Sequence, residues 1–529
     1  MSRSASGGHI ARTFTIEQEE PMPRNTLPFL RRLLVGLSLS AFTFSSAIGA
    51  DETIDSGTQT GAAPSLKMVP HTFEGRGGQV VEAEMGSFHV PENRERDDSR
   101  TIELRFVRFP ATGQNPGPPI VYLAGGPGGS GISTAKGPRF PLFMALREYG
   151  DVIAFDQRGT GLSNAIPFCK ASKAFPLERP LTRSHLMDWL EPTAKECAEF
   201  WREEGVDLEG YDTVESAHDL EDLRQALGVP KIRLWSISYG THLAFAALRH
   251  HGDSIDRVIL ASAEGPDETM KLPGRTQAFL ERIHDLASKD PKLQQVVPDF
   301  LGALEQVLRG LEKEPVEVEV SDPRGGPTAR VVIGDYDVRI LLGFLVKNPD
   351  SIAYLPLTVQ AMALGDYSQV APYILQVRQY FQGLRGMSEA MDAASGITAE
   401  RARQVERDRK TTLLGDALNF PGPWLAGPLG IEILPDTFRS PLVSDVPALF
   451  LSGSLDGRTY VESHRELAAG FEHGIHVVVE GAGHDLFLSS PEVLARMEDF
   501  LAGRRVSEES IRLPFAFISE IPGATSVGE

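Results

Sequence analysis

Ile232-Arg-Leu-Trp-Ser-Ile-Ser238-Tyr-Gly-Thr-His-Leu-Ala-Phe-Ala-Ala-Leu-Arg249 is the stretch on which the reading of this chain turns. Its first half is an apolar run of strand length, its second half a helix former with apolar residues at helical spacing, and only Ser-Tyr-Gly lies between them. A strand that becomes a helix within two or three residues must bend sharply. Small residues flank the bend, Ser236 two before Ser238 and Gly240 two after, which lets strand and helix approach closely and holds Ser238 exposed at the apex. The pattern is Ser-x-Ser-x-Gly, with Ser236 where the first glycine is usual. Ser236 is itself the poorer nucleophile, because the residue two after it is Ser238 and not glycine. An ordinary strand-to-helix turn that happens to contain serine is the competing reading of this motif taken alone.

Other strands of the same apolar type follow from the pattern. Pro119 to Ala124, Asp151 to Phe155, Arg257 to Ala261, Pro447 to Leu451 and Ile475 to Val479 read as central strands covered on both faces. Gln79 to Val90 and Thr101 to Phe109 alternate apolar and polar residues, as half-buried antiparallel strands do. Thr213 to Leu227 is a helix with an apolar stripe, closed by Gly228 and Pro230. Strand and helix alternating in this way predict an α/β fold with a mostly parallel sheet, antiparallel strands at its N-terminal edge and helices on both faces.

Between Gly265 and about Ser440 the alternation stops. Helical periods at Thr276 to Leu286, Phe300 to Leu311, Asp337 to Leu345, Ser351 to Leu364 and Thr398 to Leu414 are interrupted by a hairpin, Val316 to Val320 and Arg330 to Ile333, turning through Pro323 to Pro327. The expected organisation is an export signal over 1–50, a flexible leader over 51–65, a first part of the core over 66–264, a mainly helical cap over 265–440, a second part of the core over 441–515, and a tail over 516–529. A separate domain with its own function is the alternative reading of 265–440.

Composition narrows the partners. Among 529 residues, 72 acidic side chains against 52 basic ones give a net charge of −20, which disfavours nucleic acid and anionic membrane surfaces. Arg31-Arg32 precede an apolar run from Leu33 to about Phe44, and the small residues Ser45 to Ala50 offer a cleavage site. That run is too short to span a bilayer. It predicts export to the periplasm or medium with cleavage near Ala50 and no stable membrane anchor; Met22 is a more natural start for such a signal than Met1. The two cysteines, Cys169 and Cys197, both follow the cleavage point and are expected to pair in an oxidising compartment. No metal site and no cofactor are expected.

Three more loops at strand ends carry chemistry. Ala124-Gly-Gly-Pro-Gly-Gly-Ser-Gly131 brings backbone close to a ligand and leaves N–H groups free for developing negative charge; the Lys-Ser/Thr of a phosphate loop and the dinucleotide spacing are both missing. Asp156-Gln-Arg-Gly-Thr-Gly-Leu-Ser163 reads as a brace through Asp156 and Arg158. Ser454-Leu-Asp456-Gly-Arg and Gly481-Ala-Gly-His484-Asp485 follow the two last sheet strands. Serine, then aspartate, then histidine is the chain order in which a hydroxyl is activated by an imidazole that a carboxylate orients. Chain order and the preceding strand favour Asp456 over Asp485 as the acid.

Gly125 to Ser130, Asp156 to Ser163, Ser238-Tyr-Gly-Thr241, Leu455-Asp456 and Gly481 to His484 together resemble the proline iminopeptidase and tripeptidyl aminopeptidase family of α/β-hydrolases. Tyr211-Asp-Thr213, Asp219 to Gly228 and the cysteine pair resemble its exported tripeptidyl branch. The likeness runs from roughly Glu82 to Gly503. It implies catalysis by Ser238, His484 and Asp456, an oxyanion hole built from the backbone N–H groups of Gly126 and Tyr239, and release of a short N-terminal unit, proline or a tripeptide, from a small peptide. Cap acids would bind the substrate ammonium, with Glu264, Asp267, Glu268, Asp335 and Asp337 as candidates. An esterase or lactonase acting on a small acyl compound uses the same three side chains, and a binding protein on this scaffold would lack turnover altogether.

Overall fold

The computed structural model describes residues 65–321 and 328–520. The export segment, nearly all of the leader, the turn at Pro323 to Pro327 and the end of the tail lie outside the described residues. The fold is built on a ten-stranded sheet. Its strands are β1 (Lys67–Glu74), β2 (Val80–Pro91), β3 (Thr101–Phe109), β4 (Ile120–Leu123), β5 (Val152–Asp156), β7 (Ile232–Ile237), β8 (Ile255–Ala261), β12 (Ala448–Gly453), β13 (Gly474–Glu480) and β14 (Ile511–Arg512). They lie side by side in the order β1-β2-β3-β5-β4-β7-β8-β12-β13-β14. The pairs β1/β2, β2/β3 and β3/β5 are antiparallel, and every other pair is parallel. The parallel strands leave their C-terminal ends along one rim.

Why the central strands are continuous apolar runs is visible in their burial. All residues of β4, β5, β7 and β12 are buried, with one apolar core on each face of the sheet. β2 and β3, nearer the edge, alternate. The strand β1 carries Pro70 and buries only Phe73, which is why no strand pattern marks it in the sequence.

The chain between β8 and β12 forms a mainly helical cap. Its helices Pro273–Ala287, Phe300–Lys313, Asp335–Leu345 and Pro349–Ala363 surround an apolar core of their own, to which β9 (Val316–Val320) and β10 (Ala329–Ile333) contribute Val320, Val331 and Ile333. The helix expected over Thr398 to Leu414 ends earlier, at Ala399–Asp408; Thr412 Oγ1 bonds back to the Asp408 carbonyl, and the chain turns through Gly415. Two short strands tie cap to core. β6 (Cys169–Lys170) pairs with β11 (Gly383–Leu384), and Cys169 is joined by a disulfide to Cys197 in the helix Arg183–Glu203.

Candidate active site

The turn after β7 is as sharp as its sequence requires. Ser238 sits at φ 56°, ψ −131°, between the end of β7 and the helix Tyr239–His251. Such a backbone is costly for a residue with a side chain and persists only where the surroundings impose it. Gly240 is needed because a Cβ there would lie 2.3 Å from the Leu123 carbonyl oxygen of the neighbouring strand. Ser236, the departure from the usual glycine, is accommodated inside the sheet, where its hydroxyl donates to the Ile259 carbonyl at 2.9 Å.

Asp456 lies just past β12 and is buried. It accepts from the N–H groups of Arg458 and Thr459 at 2.8 and 3.0 Å and from Thr459 Oγ1 at 2.6 Å. His484, just past β13, places Nδ1 2.9 Å from Asp456 Oδ2. Burial alone would push the Asp456 carboxyl up, but the imidazole and the Thr459 bonds outweigh it and hold the group well below the usual carboxylate range. An anionic Asp456 keeps the Nδ1–H tautomer and leaves Nε2 as the base.

Ser238 and His484 are anchored to consecutive residues of one strand end. The Ser238 N–H donates to the Ala261 carbonyl at 3.1 Å, and Ser262 Oγ donates to the His484 carbonyl at 2.7 Å. Among the described residues no hydrogen bond joins Ser238 Oγ to His484, and the Ser238 side chain does not cap its own helix. Hydrogen bonds between catalytic groups are commonly long until substrate arrives.

The glycine-rich loop after β4 crosses directly over the serine. A Cβ on Gly125 would meet Ser238 Cβ at 2.8 Å, so the backbone of this loop comes as near the hydroxyl as sterics allow. The N–H of Tyr239 opens a helix and therefore has no acceptor within it. The Tyr239 hydroxyl is buried, 3.1 Å from Thr213 Oγ1 and 3.0 Å from Met391 Sδ, and anchors that end of the helix. Asp156 and Arg158 brace the rim. Asp156 accepts from Ser130 Oγ at 2.6 Å and from the N–H groups of Ile132 and Leu162; buried Arg158 grips Asp219 with two bonds, at 2.7 and 2.6 Å.

The acids divide into two groups. A cavity of about 210 Å³ borders Gly126 and Pro127 and is lined by Glu264, Glu389, Asp392, Lys271 and Arg458. The other acids singled out in the sequence are not among its lining residues. Asp267 accepts from the N–H and hydroxyl of Thr398, Glu268 from the Gly265 N–H, Asp335 from Arg339, and Asp337 pairs with buried Arg378. Glu389 and Asp392, which the sequence reading passed over, belong to the helix Met387–Ser395. The signal for them was an acid pair three apart, hence on one helix face, in a run of small apolar residues that would otherwise be buried.

Within that cavity Lys271 Nζ neutralises Glu264 at 2.6 Å. Among the described residues Glu389 accepts from neutral donors, the Arg385 N–H at 3.1 Å and Ser388 Oγ at 3.0 Å. Asp392 makes no ion pair among the described residues. Burial, and then the nearby Glu264 and Glu389, push its carboxyl well above the ordinary value, against Lys271 and Arg458. With all groups ionised, three acids face two bases, and a single positive charge would balance the site. Among the described residues no cluster of three or more His, Cys, Asp or Glu side chains is arranged to hold a metal ion.

Residues 118–323 match the family model described as alpha/beta hydrolase fold, and residues 434–509 the one described as TAP-like protein. Over these two stretches the chain is similar to the α/β-hydrolases and, in its C-terminal part, to the TAP-like proteins. It is similar to Serine protease Hip1 of Mycobacterium tuberculosis, 30% identical over 191 residues that cover 34% of this chain and 36% of that protein. Tripeptidyl aminopeptidase of Streptomyces lividans is 31% identical over 162 residues, 28% of each chain. The chain thus spans about a third of the length of the curated relatives it matches. Among solved structures, a proline iminopeptidase-related protein from Thermus thermophilus aligns over 80% of this chain and 98% of its own, at 17% identity and a TM-score of 0.34.

Proposed function

We propose that this chain is a serine aminopeptidase that removes a short N-terminal unit from small peptides through an acyl-enzyme. The observation that carries the reading is the cavity beside Gly126, where Glu389 and Asp392 make no ion pair among the described residues and, with all groups ionised, the lining acids outnumber the lining bases by one. A peptide ammonium supplies the balancing positive charge, whereas the acyl part of a simple ester or lactone has none to offer. The names of the similar proteins, a serine protease and a tripeptidyl aminopeptidase, point the same way.

In this reading Ser238 Oγ attacks the scissile carbonyl while His484 Nε2 takes its proton, and Asp456 stabilises the imidazolium that forms. The N–H groups of Gly126 and Tyr239 hold the oxyanion. His484 then protonates the departing amine, water enters, and the same steps in reverse order free the acyl unit. The ammonium bound by Glu389 and Asp392 fixes how far from the N-terminus the cut falls.

Export belongs to the same proposal. The apolar run from Leu33 lies outside the described residues, but the Cys169–Cys197 bond suits an oxidising compartment, and among the described residues no helix is long and apolar enough to cross a membrane.

The deciding experiment is a panel of p-nitroanilides of single residues, dipeptides and tripeptides, each with a free and an acetylated amine. Turnover of the free amines alone is expected, together with fluorophosphonate labelling that Ser238→Ala abolishes. Equal turnover of both series would remove the aminopeptidase part of the reading, and a preference for butyrate-type esters with no cleavage of the free-amine anilides would favour the esterase alternative.

A further inference from the structure

A second cavity, of about 600 Å³, opens on the other side of the glycine-rich loop. It shares Gly126, Pro127, Tyr380 and Ser388 with the acidic cavity, so the two are successive compartments of one cleft that meet where the oxyanion loop crosses it. Their walls tell which half of a peptide each would take. The first holds Glu389 and Asp392, which make no ion pair among the described residues. The second is bounded by Asp485, the neighbour of His484, and so lies beside the group that protonates the departing amine.

Three charged side chains line this second compartment: Arg139, Asp485 and Arg385. Arg139 is committed to Asp485 at 2.7 Å and wedged against the rings of Tyr122 and Phe487. Arg385 is exposed, has no ion pair among the described residues, and lies with its guanidinium 3.9 Å from the centroid of the Tyr380 ring. Stacking of that kind fixes the plane of a guanidinium while its in-plane N–H groups remain free, the arrangement that suits a carboxylate taken by two parallel bonds.

The chain also sets the two charges in a fixed order. Arg385 lies just before the helix that carries Glu389, and the Arg385 backbone N–H is bonded to the Glu389 carboxylate. One turn of backbone therefore sends an acid into one compartment and a base into the other. A short peptide laid across Gly126, ammonium first, meets the charges in the sequence of its own two ends.

We propose that Arg385 is the specificity determinant of the leaving-group side: it takes the C-terminal carboxylate of the departing peptide, and the preferred substrates are short peptides free at both termini. The proposal rests on the aminopeptidase reading above and adds to it a requirement at the opposite end of the substrate.

The test uses the full-length exported protein and pairs of free-amine peptides of two to six residues, identical except that one ends in the acid and the other in the amide, with product release followed by mass spectrometry. For the shortest cleaved peptides the acid should exceed the amide in kcat/KM by about tenfold, the scale of one charge-assisted hydrogen bond, and the difference should lie mainly in KM. The gap should shrink as added residues carry the carboxylate past Arg385. Arg385→Gln should bring the acids down to the level of the amides, and Arg385→Lys should keep part of the difference. Equal turnover of acid and amide by the wild type overturns the proposal, as does a gap that survives in Arg385→Gln; in either case a retained preference for free over acetylated amines leaves the aminopeptidase reading standing. Loss of that amine preference overturns both. If Arg385→Gln does not fold, the wild-type acid-to-amide ratio and its dependence on length decide the matter.

Discussion

His484 Nδ1 lies 2.9 Å from Asp456 Oδ2, and the same carboxylate is held by three further donors from Arg458 and Thr459. A carboxylate so fully bonded cannot rotate away from the imidazole, so its replacement by an amide should change the tautomer of His484 without moving it. Asp456→Asn is therefore expected to fold as the wild type and to lower kcat by about 10⁴-fold, the scale for a triad with the wrong tautomer. Steady-state kinetics on the best anilide of the panel, beside a circular dichroism melt, check this. A loss below about tenfold would mean that another acid, such as Asp485, orients the ring.

The acidic cavity makes a prediction about pH. The Asp392 carboxyl is raised well above its ordinary value, first by burial and then by Glu264, so lowering the pH protonates it early and removes one of the charges that attract an ammonium. Dividing wild-type kcat/KM by that of Asp392→Asn at each pH cancels what His484 contributes to both. The quotient should rise with pH as Asp392 ionises and fall again above about pH 8, where the substrate amine loses its proton. A quotient that does not vary with pH for the free amines would remove Asp392 from substrate binding.

Much of this architecture is legible in the residues, and the failures have physical causes. β4, β5, β7 and β12 announce themselves as apolar runs because both faces are covered, and the loops after them carry distinctive chemistry. The helix Met387–Ser395 does not announce itself. It is short, it packs small residues such as Ala390, Ala393 and Ala394 against the core, and small residues produce no apolar period. The helix Arg183–Glu203 hides for a different reason, since it carries Pro192 inside it, a residue that reads as a helix breaker, and charges crowd its outer face. The acids Asp335 and Asp337 looked like ligands because a sequence lists charges without their partners; Arg339 and Arg378 supply those partners only once the chain has folded.

The disulfide predicts a coupling between stability and binding. Cys169 and Cys197 are 28 residues apart, so the crosslink should contribute about 2–4 kcal/mol. Cys169 also pairs in register with Leu384, the residue before Arg385 and three before the helix that bears Glu389 and Asp392. Replacing both cysteines by alanine should thus lower the unfolding free energy and, separately, raise KM for free-amine substrates, with kcat changed much less. Denaturant unfolding and steady-state kinetics on the same preparation read the two effects. An unaltered KM would show that the cap holds its acids without help from β6 and β11.

Asp212 gives a test of the electrostatics away from the cleft. It caps the helix Thr213–Ala226, accepting from the Glu215 N–H at 2.7 Å, yet burial, with the Glu215 charge adding to it, raises its carboxyl to about 6. A carboxyl raised in the folded state opposes folding once it ionises. That cost is absent below its ordinary range, grows as the pH rises from about 4 to about 6, and stays constant above. Asp212→Asn keeps a capping oxygen and removes the charge, so it should stabilise the protein by about 1–3 kcal/mol at pH 8 and by almost nothing at pH 4. Asp212→Ala removes the cap as well and should cost about 1 kcal/mol at pH 4, where the asparagine variant matches the wild type. Urea unfolding of variant and wild type at the two pH values separates these contributions, and an asparagine variant whose advantage over the wild type is no greater at pH 8 than at pH 4 would show that the buried carboxylate is already compensated in the folded chain.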